Sequence, residues 1–226
     1  MKIALRMIGS VALVIVMAVL AYGLHGYFSA RADAASLSRR ADALIAQHRG
    51  PEDLGPGRIQ QLLLVEDPGF WTHDGTDWRT PGSGLTTLTQ SLGKRVGFRN
   101  FHPGLPKIRL AGYAKGLERS LSKRQILTLY LDVVWMGRGP TGSMTGLFNA
   151  SEAVFHRPPS ALNDRQFLSL VAVLIAPRKF TLAAPNADLE ERTDRIERLV
   201  SKQCQPAGLR DVWLEGCANP SRGRVS

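Results

Sequence analysis

The chain has 226 residues, of which 44% are hydrophobic, and its formal net charge is +10. This length excludes several full-size domains and suits one domain of ordinary size with an additional segment. The positive charge indicates a polyanionic partner, which in a cytosolic protein would be nucleic acid. Across a membrane, the corresponding partners are lipid headgroups, lipid-linked phosphates and cell-wall polymers.

The N-terminal segment is a long apolar stretch. No residue from Met7 to Ala30 is charged at neutral pH. The stretch can cross a bilayer as a helix, and the preceding Lys2 and Arg6 predict a cytoplasmic N-terminus. A cleaved signal peptide is the alternative, because SARADAA offers small residues at A-x-A spacing. The length favours a retained anchor, and both interpretations place the rest of the chain outside the cytoplasm.

The spacing of apolar residues predicts a mainly α protein without convincing alternating strands. A stalk helix over Ser36–Arg49 is followed by a Gly/Pro-rich linker, and Ser122 with Gln125 fits the capping box of a later helix. Phe167–Ala176 is apolar nearly all round, which predicts a buried core helix that ends at Pro177. The other predicted helices are Arg58–Val65, Leu85–Lys94, Ile108–Leu121 and Asp188–Lys202.

These elements predict four regions along the chain. They are a cytoplasmic N-terminus and transmembrane anchor (1–30), a stalk and linker (31–57), a main domain (58–185), and a C-terminal helix with an irregular tail (186–226). Cys204 and Cys217 lie in the last region. In an exported chain they can form a disulfide that staples the tail, or they are two independent thiols.

Three features between residues 66 and 124 suggest chemistry. Glu66-Asp67 ends an apolar run, where desolvation can raise the pKa of a carboxyl group and suit it to acid–base work. The stretch from Ser83 to Gln90 is rich in hydroxyl groups that can bind sugar or phosphate oxygens. From Lys94 to Arg124 there are nine Lys or Arg residues and one acidic residue, a density that can clamp a diphosphate.

Several motifs, in order, resemble the peptidoglycan glycosyltransferases of glycosyltransferase family 51. The first is E-D-x-x-F-x-x-H-x-G, present as Glu66-Asp67, Phe70, His73 and Gly75. The stretch GLTTLTQSLGK resembles the second motif, with Thr87, Thr89, Gln90, Leu92 and Lys94 matching. LERSLSKRQILTLYL, Gly137-Arg138-Gly139 and, more loosely, Ala176-Pro177 follow in family order.

The resemblance implies a mainly α, lysozyme-like domain with a long cleft, which polymerises lipid II into glycan strands. Glu66 would be the general base that takes a proton from the acceptor hydroxyl. Lys94 and neighbouring Arg residues, with a divalent cation (Mg²⁺ or Mn²⁺), would stabilise the diphosphate leaving group. No residues are assigned as protein ligands of that metal. The implied substrate-binding residues are Asp67, Phe70, His73, Thr87, Thr89, Gln90, Lys94, Lys107 and Arg109.

The chain departs from the family pattern at several positions. Leu110 stands where the motif R-K-x-x-E has its glutamate, and the segment between His73 and Thr87 is short, so that a family arginine there is lost unless Arg79 replaces it. Asp132 replaces an asparagine and Gln166 a common glutamate. Two interpretations stay open: a divergent working enzyme, or a pseudoenzyme that binds lipid II or glycan and regulates cell-wall synthesis.

The expected partners are lipid II, the nascent glycan strand, the cytoplasmic membrane and other cell-wall synthesis proteins, with no nucleic acid. The expected location is a single-pass position in the cytoplasmic membrane, with the catalytic domain on the outer, periplasmic side. A glycan-cleaving enzyme and a purely electrostatic binder of membranes or nucleic acid are the weaker alternatives. Too few residues follow position 185 for a transpeptidase domain, so a bifunctional penicillin-binding protein is not expected.

Overall fold

The computed structural model describes residues 2–140, 142–184 and 186–218, and the side chains from residue 6 onward. Within these ranges the chain is mainly helical, as predicted. Besides three short 3-10 helices, the described residues form eight α-helices and one two-stranded sheet: α1 (Lys2–Ala46), α2 (Arg58–Glu66), α3 (Leu88–Val96), α4 (Pro106–Ser120), α5 (Lys123–Val133), β1 (Trp135–Gly139), β2 (Gly142–Thr145), α6 (Leu147–Phe155), α7 (Asp164–Val173) and α8 (Ala187–Val200).

The apolar stretch and the predicted stalk form one continuous helix, α1. Residues 6–22 are exposed around the whole helix, and α1 is long and apolar enough to cross a bilayer. From residue 23 onward, one face of α1 packs against α4 and α5. The predicted boundary at residues 30/31 therefore falls inside a helix, and the four-region division stays a prediction.

Glycines allow α1 and α4 to approach closely. Gly26 lies against the backbone of Arg109, and Gly112 lies against the backbone of Gly23, so that a Cβ at either glycine would collide with a carbonyl group. Such small-residue contacts bring helix axes closer than larger side chains permit. Asp132 of α5 makes a separate contact with α1, because its carboxylate pairs with Arg40 at 2.6 Å. The replacement of the family asparagine by Asp132 therefore has a structural partner.

Three helices begin with capping boxes that the sequence contains. Ser122 accepts a hydrogen bond from Gln125 N, as predicted, and Thr87 caps α3 in the same way with Gln90. Asn163 caps α7 with Gln166. A capping box needs only a side-chain acceptor at its last position, so Gln166 performs this task without a carboxylate.

The domain also contains a short hairpin, for which the sequence gives no convincing alternating pattern. β1 and β2 form an antiparallel hairpin that contains the Gly137-Arg138-Gly139 motif. The strands are short and glycine-rich, so they show no alternating pattern that could reveal them. Gly137 has a positive φ of 84°, and its Cα lies against the carbonyl oxygen of Pro177, which fixes the hairpin on the chain after α7.

The core lies where α2, α3, α5 and α7 meet, with α8 packed on α7. The predicted core helix was right in position, although α7 begins three residues earlier and ends at Val173, with a turn before Pro177. Beyond α8 the tail is irregular, as predicted, and the Cys204–Cys217 disulfide closes it, with a Cα–Cα distance of 5.3 Å. The last part of the predicted tail, residues 219–226, lies outside the described residues.

Candidate active site

Glu66 is the last residue of α2 and lies, half-buried, on the edge of a pocket. The pocket has a volume of about 350 Å³ and lies between α2, α3 and the C-terminal part of the chain. We call it the acidic pocket after Glu66, the one carboxylate that lines it. Its other lining residues are Val65, Gly82, Ser83, Gly84, Leu85, Thr86, Ser91, Lys94, Leu174, Ile175, Arg192 and Val212. Its size is in the range of small-molecule sites.

The surroundings of Glu66 suit a general base. Desolvation raises the pKa of Glu66 to about 7, against the opposing effects of Arg192 and of the hydroxyl of Tyr130. Tyr130 donates this hydrogen bond to Glu66 Oε2 at 3.4 Å. A carboxylate with a pKa near neutrality both exists in its basic form and takes a proton readily at physiological pH.

Arg192 is a candidate functional residue that the sequence motifs do not include. Its side chain is only 3% exposed, and its Nε and Nη1 atoms are buried without a hydrogen-bond partner among the described residues. Burial lowers the pKa of Arg192 to about 10, while Glu66 opposes this shift, so the guanidinium is charged at neutral pH. A buried cation with unpaired donors beside a pocket is suited to binding an anion.

The sequence contains a signal for Arg192 that could have been used. Leu189, Ile196 and Leu199 form the buried stripe of α8, and Arg192 lies on the same stripe at helical spacing. An arginine on the apolar side of an amphipathic helix must be paired or functional, because burying a lone charge is costly.

Lys94 lies between the acidic pocket and a second pocket of about 350 Å³, and it lines both. Burial, Arg95 and Lys107 lower the pKa of Lys94, as expected where cations cluster. Lys107 and Gln90 line the second pocket, so the structure places three predicted site residues there. Arg109 instead stacks over the Phe98 ring at 4.5 Å.

Asp67 and His73 face the interior and hold the loop after α2. Asp67 is fully buried and accepts hydrogen bonds from Leu88 N at 2.8 Å and from His73 Nε2 at 2.9 Å. Because His73 Nδ1 accepts from Gly75 N, the Nε2 atom carries the proton in this network. These bonds attach the loop to the N-terminus of α3 and thereby set Glu66 relative to Lys94.

The other predicted polar residues also bond within the protein. Thr87 Oγ1 donates to Gly75 O at 2.8 Å, and Gln90 Oε1 accepts from Thr87 N. Thr89 Oγ1 donates to Glu118 Oε1 at 2.6 Å, and Lys123 also binds that oxygen. These contacts support a positioning role for both threonines.

Phe70 and Arg79 are the remaining residues that the sequence suggests for the site. Phe70 is fully buried, with the Lys123 ammonium 4.5 Å from its ring centroid, so it also supports the loop. Arg79 is exposed and lines neither of the two pockets.

The C-terminal tail forms one wall of the acidic pocket. Gly82 N donates to Gly208 O at 3.0 Å, and Gly84 N donates to Leu209 O at 2.8 Å. These bonds dock the disulfide-closed tail on the loop that is short relative to the family pattern. Val212 of the tail then lines the pocket next to Arg192.

The donor set of the acidic pocket suits an anion better than a resident divalent cation. Glu66 is its one carboxylate, since Asp67 is bonded to His73 and Leu88, and the cations Lys94 and Arg192 line the same pocket. No group of three potential metal-ligating side chains occurs among the described residues. The expectation that Mg²⁺ or Mn²⁺ accompanies the diphosphate stays a prediction, and no step proposed below depends on a metal.

Glu66, with a pKa of about 7, and the cations Lys94 and Arg192 line one pocket of a mainly helical domain, an arrangement suited to group transfer from an anionic substrate. The family model described as Transglycosylase matches residues 35–201, and the chain therefore belongs to this family. The lysozyme-like, mainly α fold expected from the motifs is confirmed by this membership.

Similar proteins are named as peptidoglycan transglycosylases or as a penicillin-binding protein. The chain is 34% identical over 164 residues to the biosynthetic peptidoglycan transglycosylase of Klebsiella oxytoca. This match covers 66% of the chain and 65% of the Klebsiella protein, slightly less than two thirds of that protein's length. The Shewanella amazonensis protein of the same name is 28% identical over 80% of this chain and 78% of its own length. Penicillin-binding protein 1B of Buchnera aphidicola is 31% identical over 66% of this chain and 21% of its own length.

Proposed function

We propose that the protein is a peptidoglycan glycosyltransferase that polymerises lipid II. Glu66 takes the proton of the acceptor's 4-hydroxyl group as its oxygen attacks the anomeric carbon of the donor. The bond between that carbon and the diphosphate oxygen breaks, and the polyprenyl diphosphate leaves. The observation that carries the proposal is Glu66 at the edge of one pocket with Lys94 and Arg192.

Lys94 and Arg192 act on the leaving group in this mechanism. Negative charge develops on the diphosphate as the glycosidic bond breaks, and fixed cations in a desolvated pocket stabilise that charge strongly. Both side chains are held before substrate arrives, Lys94 by α3 and Arg192 by α8. Asp67 and His73 orient the loop that follows Glu66 and do not need to contact the substrate.

We propose further that α1 is retained as an anchor in the cytoplasmic membrane, with the domain on its outer side. The continuity of α1 into the part packed on α4, and the positive Lys2 and Arg6 before the apolar stretch, support this arrangement. The Cys204–Cys217 disulfide supports an oxidising compartment outside the cytoplasm.

One observation favours a second function, that of a lipid II-binding regulator without turnover. Leu110 is 2% exposed and stands at the position of a family glutamate. A leucine supplies neither a charge nor a hydrogen bond at this position, so the second carboxylate of the family motif is missing, which favours binding without turnover.

The test is polymerisation of labelled lipid II by the detergent-solubilised full chain. We expect polymer from the unaltered protein, and a loss of about 100-fold or more in Glu66→Gln, because general bases contribute about 10²–10⁴-fold. Glu152→Gln, which removes an exposed carboxylate of α6, is the matched control and should polymerise normally. Lipid II binding without polymer would favour the regulator. The absence of both binding and polymer would refute the substrate assignment.

A further inference from the structure

A further pocket adjoins the acidic pocket and shares Arg192 with it. It has a volume of about 100 Å³ and lies between α8, the chain after α7 and the C-terminal tail. We call it the tail pocket, because Trp213 and Glu215 of the tail line it. Both residues lie beyond 35–201, the part of the chain that the family model matches. The motifs of the family therefore do not account for this wall of the pocket.

Trp213 offers an aromatic face to the tail pocket. It is 41% exposed, and its ring meets the ring of the buried Phe180 in a T-shaped contact, with 6.2 Å between the two centroids. The Lys179 ammonium lies 5.9 Å from the centroid of the Trp213 ring. These contacts hold the ring, and its exposed part stays open to a ligand. An exposed aromatic ring that lines a pocket typically marks a binding site, here for a ligand with a flat apolar face.

The charged side chains of the tail pocket balance one another. Three cations and three carboxylates line it, namely Lys179, Arg192 and Arg195, and Asp188, Glu191 and Glu215. Arg195 pairs with Glu191 at 2.6 Å and with Glu215 at 2.7 Å. Lys179 pairs with Asp188 at 3.2 Å. This balance gives a charged ligand little net attraction, whereas the remaining donors and acceptors suit a neutral ligand with hydroxyl and amide groups.

The tail that carries Trp213 is fixed on α8. Arg195 Nη1 donates to Trp213 O at 3.1 Å, and Arg198 Nε donates to Cys217 O at 2.8 Å. Within the tail, the Asp211 carboxylate accepts three hydrogen bonds from backbone N–H groups. A site that is already ordered loses little conformational freedom when it binds. The tail pocket is thus preorganised for a ligand that makes only neutral contacts.

The shared Arg192 places the tail pocket beside the proposed reaction site. Glu66 and Lys94 line the acidic pocket together with Arg192, and the same arginine lines the tail pocket. A saccharide whose end reacts at Glu66 can therefore extend past Arg192 to Trp213. The volume of about 100 Å³ is well below that of drug-sized sites, so the tail pocket suits one sugar unit of such a saccharide.

We propose that the tail pocket binds one sugar unit of an N-acetylated glycan strand. The pyranose ring packs its C–H face on Trp213, and its hydroxyl and acetamido groups bond to the charged side chains around it. A sugar unit combines the properties that the pocket requires: an apolar face, no net charge, and both donors and acceptors. The inference rests on the proposed function for the identity of the strand. Its consequence is that the strand stays bound near Glu66 between successive additions.

Binding of a linear N-acetylglucosamine tetramer to the full chain tests the proposal, by calorimetry in a detergent without a sugar headgroup. This probe contains no lipid, phosphate or peptide, so it isolates saccharide recognition. We expect it to bind the unaltered protein, and Trp213→Ala to weaken binding about tenfold, because the stacking surface is lost. Trp71→Ala is the matched control, because Trp71 is also exposed and lines neither the tail pocket nor the acidic pocket. An unchanged affinity in Trp213→Ala would overturn the proposal.

Trp213→Phe and Trp213→Leu cover the case in which Trp213→Ala releases the tail. Both keep an apolar side chain against Phe180, but only phenylalanine presents a flat ring. We expect Trp213→Phe to retain most of the affinity for the tetramer and Trp213→Leu to lose several-fold. Equal affinities of these two variants would overturn the proposal. Displacement of the tetramer by the free pentapeptide of lipid II at equal concentration would also overturn it, because the pocket would then recognise peptide.

Polymerisation of labelled lipid II separates this inference from the proposed function. If both hold, Trp213→Ala should make strands about twofold shorter or more, because a weaker complex releases the strand sooner. Trp71→Ala should make strands as long as those of the unaltered protein. Tetramer binding that depends on Trp213, in a protein that makes no polymer, would refute the enzyme and retain the glycan site. Polymer from the unaltered protein without tetramer binding would refute the glycan site and retain the enzyme.

Discussion

The two walls of the acidic pocket are built in different ways. The motif wall, residues 58–96, carries Glu66 and Lys94 and is held by buried hydrogen bonds among polar side chains. The C-terminal wall, residues 187–217, carries Arg192 and is held by a disulfide and by backbone hydrogen bonds to Gly82 and Gly84. One wall positions Glu66 by a polar network, and the other places the Arg192 cation beside Glu66 from a distant part of the chain.

This difference predicts where the protein is sensitive to substitution. The polar side chains of the motif wall bond to other groups of the protein. Their replacement should therefore reduce stability more than it reduces substrate binding. Arg192 has buried donors without partners among the described residues, so its loss should affect binding and catalysis more than stability.

The largest effect is expected for Asp67→Asn. The fully buried carboxylate accepts hydrogen bonds from His73 Nε2 and Leu88 N. Asparagine offers one acceptor oxygen and no charge, so we expect the free energy of unfolding to fall by about 3 kcal/mol. Urea unfolding of the solubilised protein measures this change. Asp74→Asn in the same loop, whose partner Lys115 is exposed, is the control and should cost about 0–1 kcal/mol. Unchanged stability with lost lipid II binding would instead assign Asp67 to the substrate.

The motif wall was largely predictable from the sequence, because its order is encoded locally. Glu66-Asp67 at the end of an apolar run indicated the candidate site of this wall, and the same kind of signal outside the wall, Ser122 with Gln125, predicted the start of α5. Local signals of this kind depend on residues a few positions apart.

The C-terminal wall was not predictable in the same way. Arg192 and Glu66 are far apart in sequence, and no spacing rule brings them to one pocket. The bonds from the tail to Gly82 and Gly84 are made by backbone atoms, which every sequence offers equally. The hairpin at Gly137 was missed for a related reason, since short glycine-rich strands are stabilised by packing on Pro177 and carry no pattern of their own.

The next effect in size is expected for Arg192→Gln. We expect kcat/KM for lipid II polymerisation to fall by about 100-fold, because a charge-assisted contact to the leaving group is lost. Arg192→Lys should restore part of the rate, and Arg210→Gln in the exposed tail should leave it unchanged. Because Arg192 lowers the pKa of Glu66, the midpoint of the pH–rate profile should also move upward in Arg192→Gln. An unchanged rate and midpoint would contradict a role for the C-terminal wall in the reaction.

The smallest effect concerns the free energy of unfolding, which the raised pKa of Glu66 lowers at neutral pH. This pKa is raised from 4.5 to about 7 by burial, so between these values the folded state binds the proton more tightly than the unfolded state. Stability should therefore fall as the pH rises through this window. Glu66→Gln, which stays neutral, should match the unaltered protein at pH ~4 and be more stable at pH ~8, by about 1–3 kcal/mol.

Urea unfolding at both pH values measures this difference, and Glu152→Gln controls for the general effect of removing a carboxylate. Equal stability of Glu66→Gln and the unaltered protein at the higher pH would mean that Glu66 is not desolvated. The basic form would then be readily available without the motif wall, and the wall's buried network would serve the fold alone. A stabilised but inactive Glu66→Gln would instead show that the motif wall holds its base at a cost in stability, whereas the C-terminal wall supplies the cation that limits that cost.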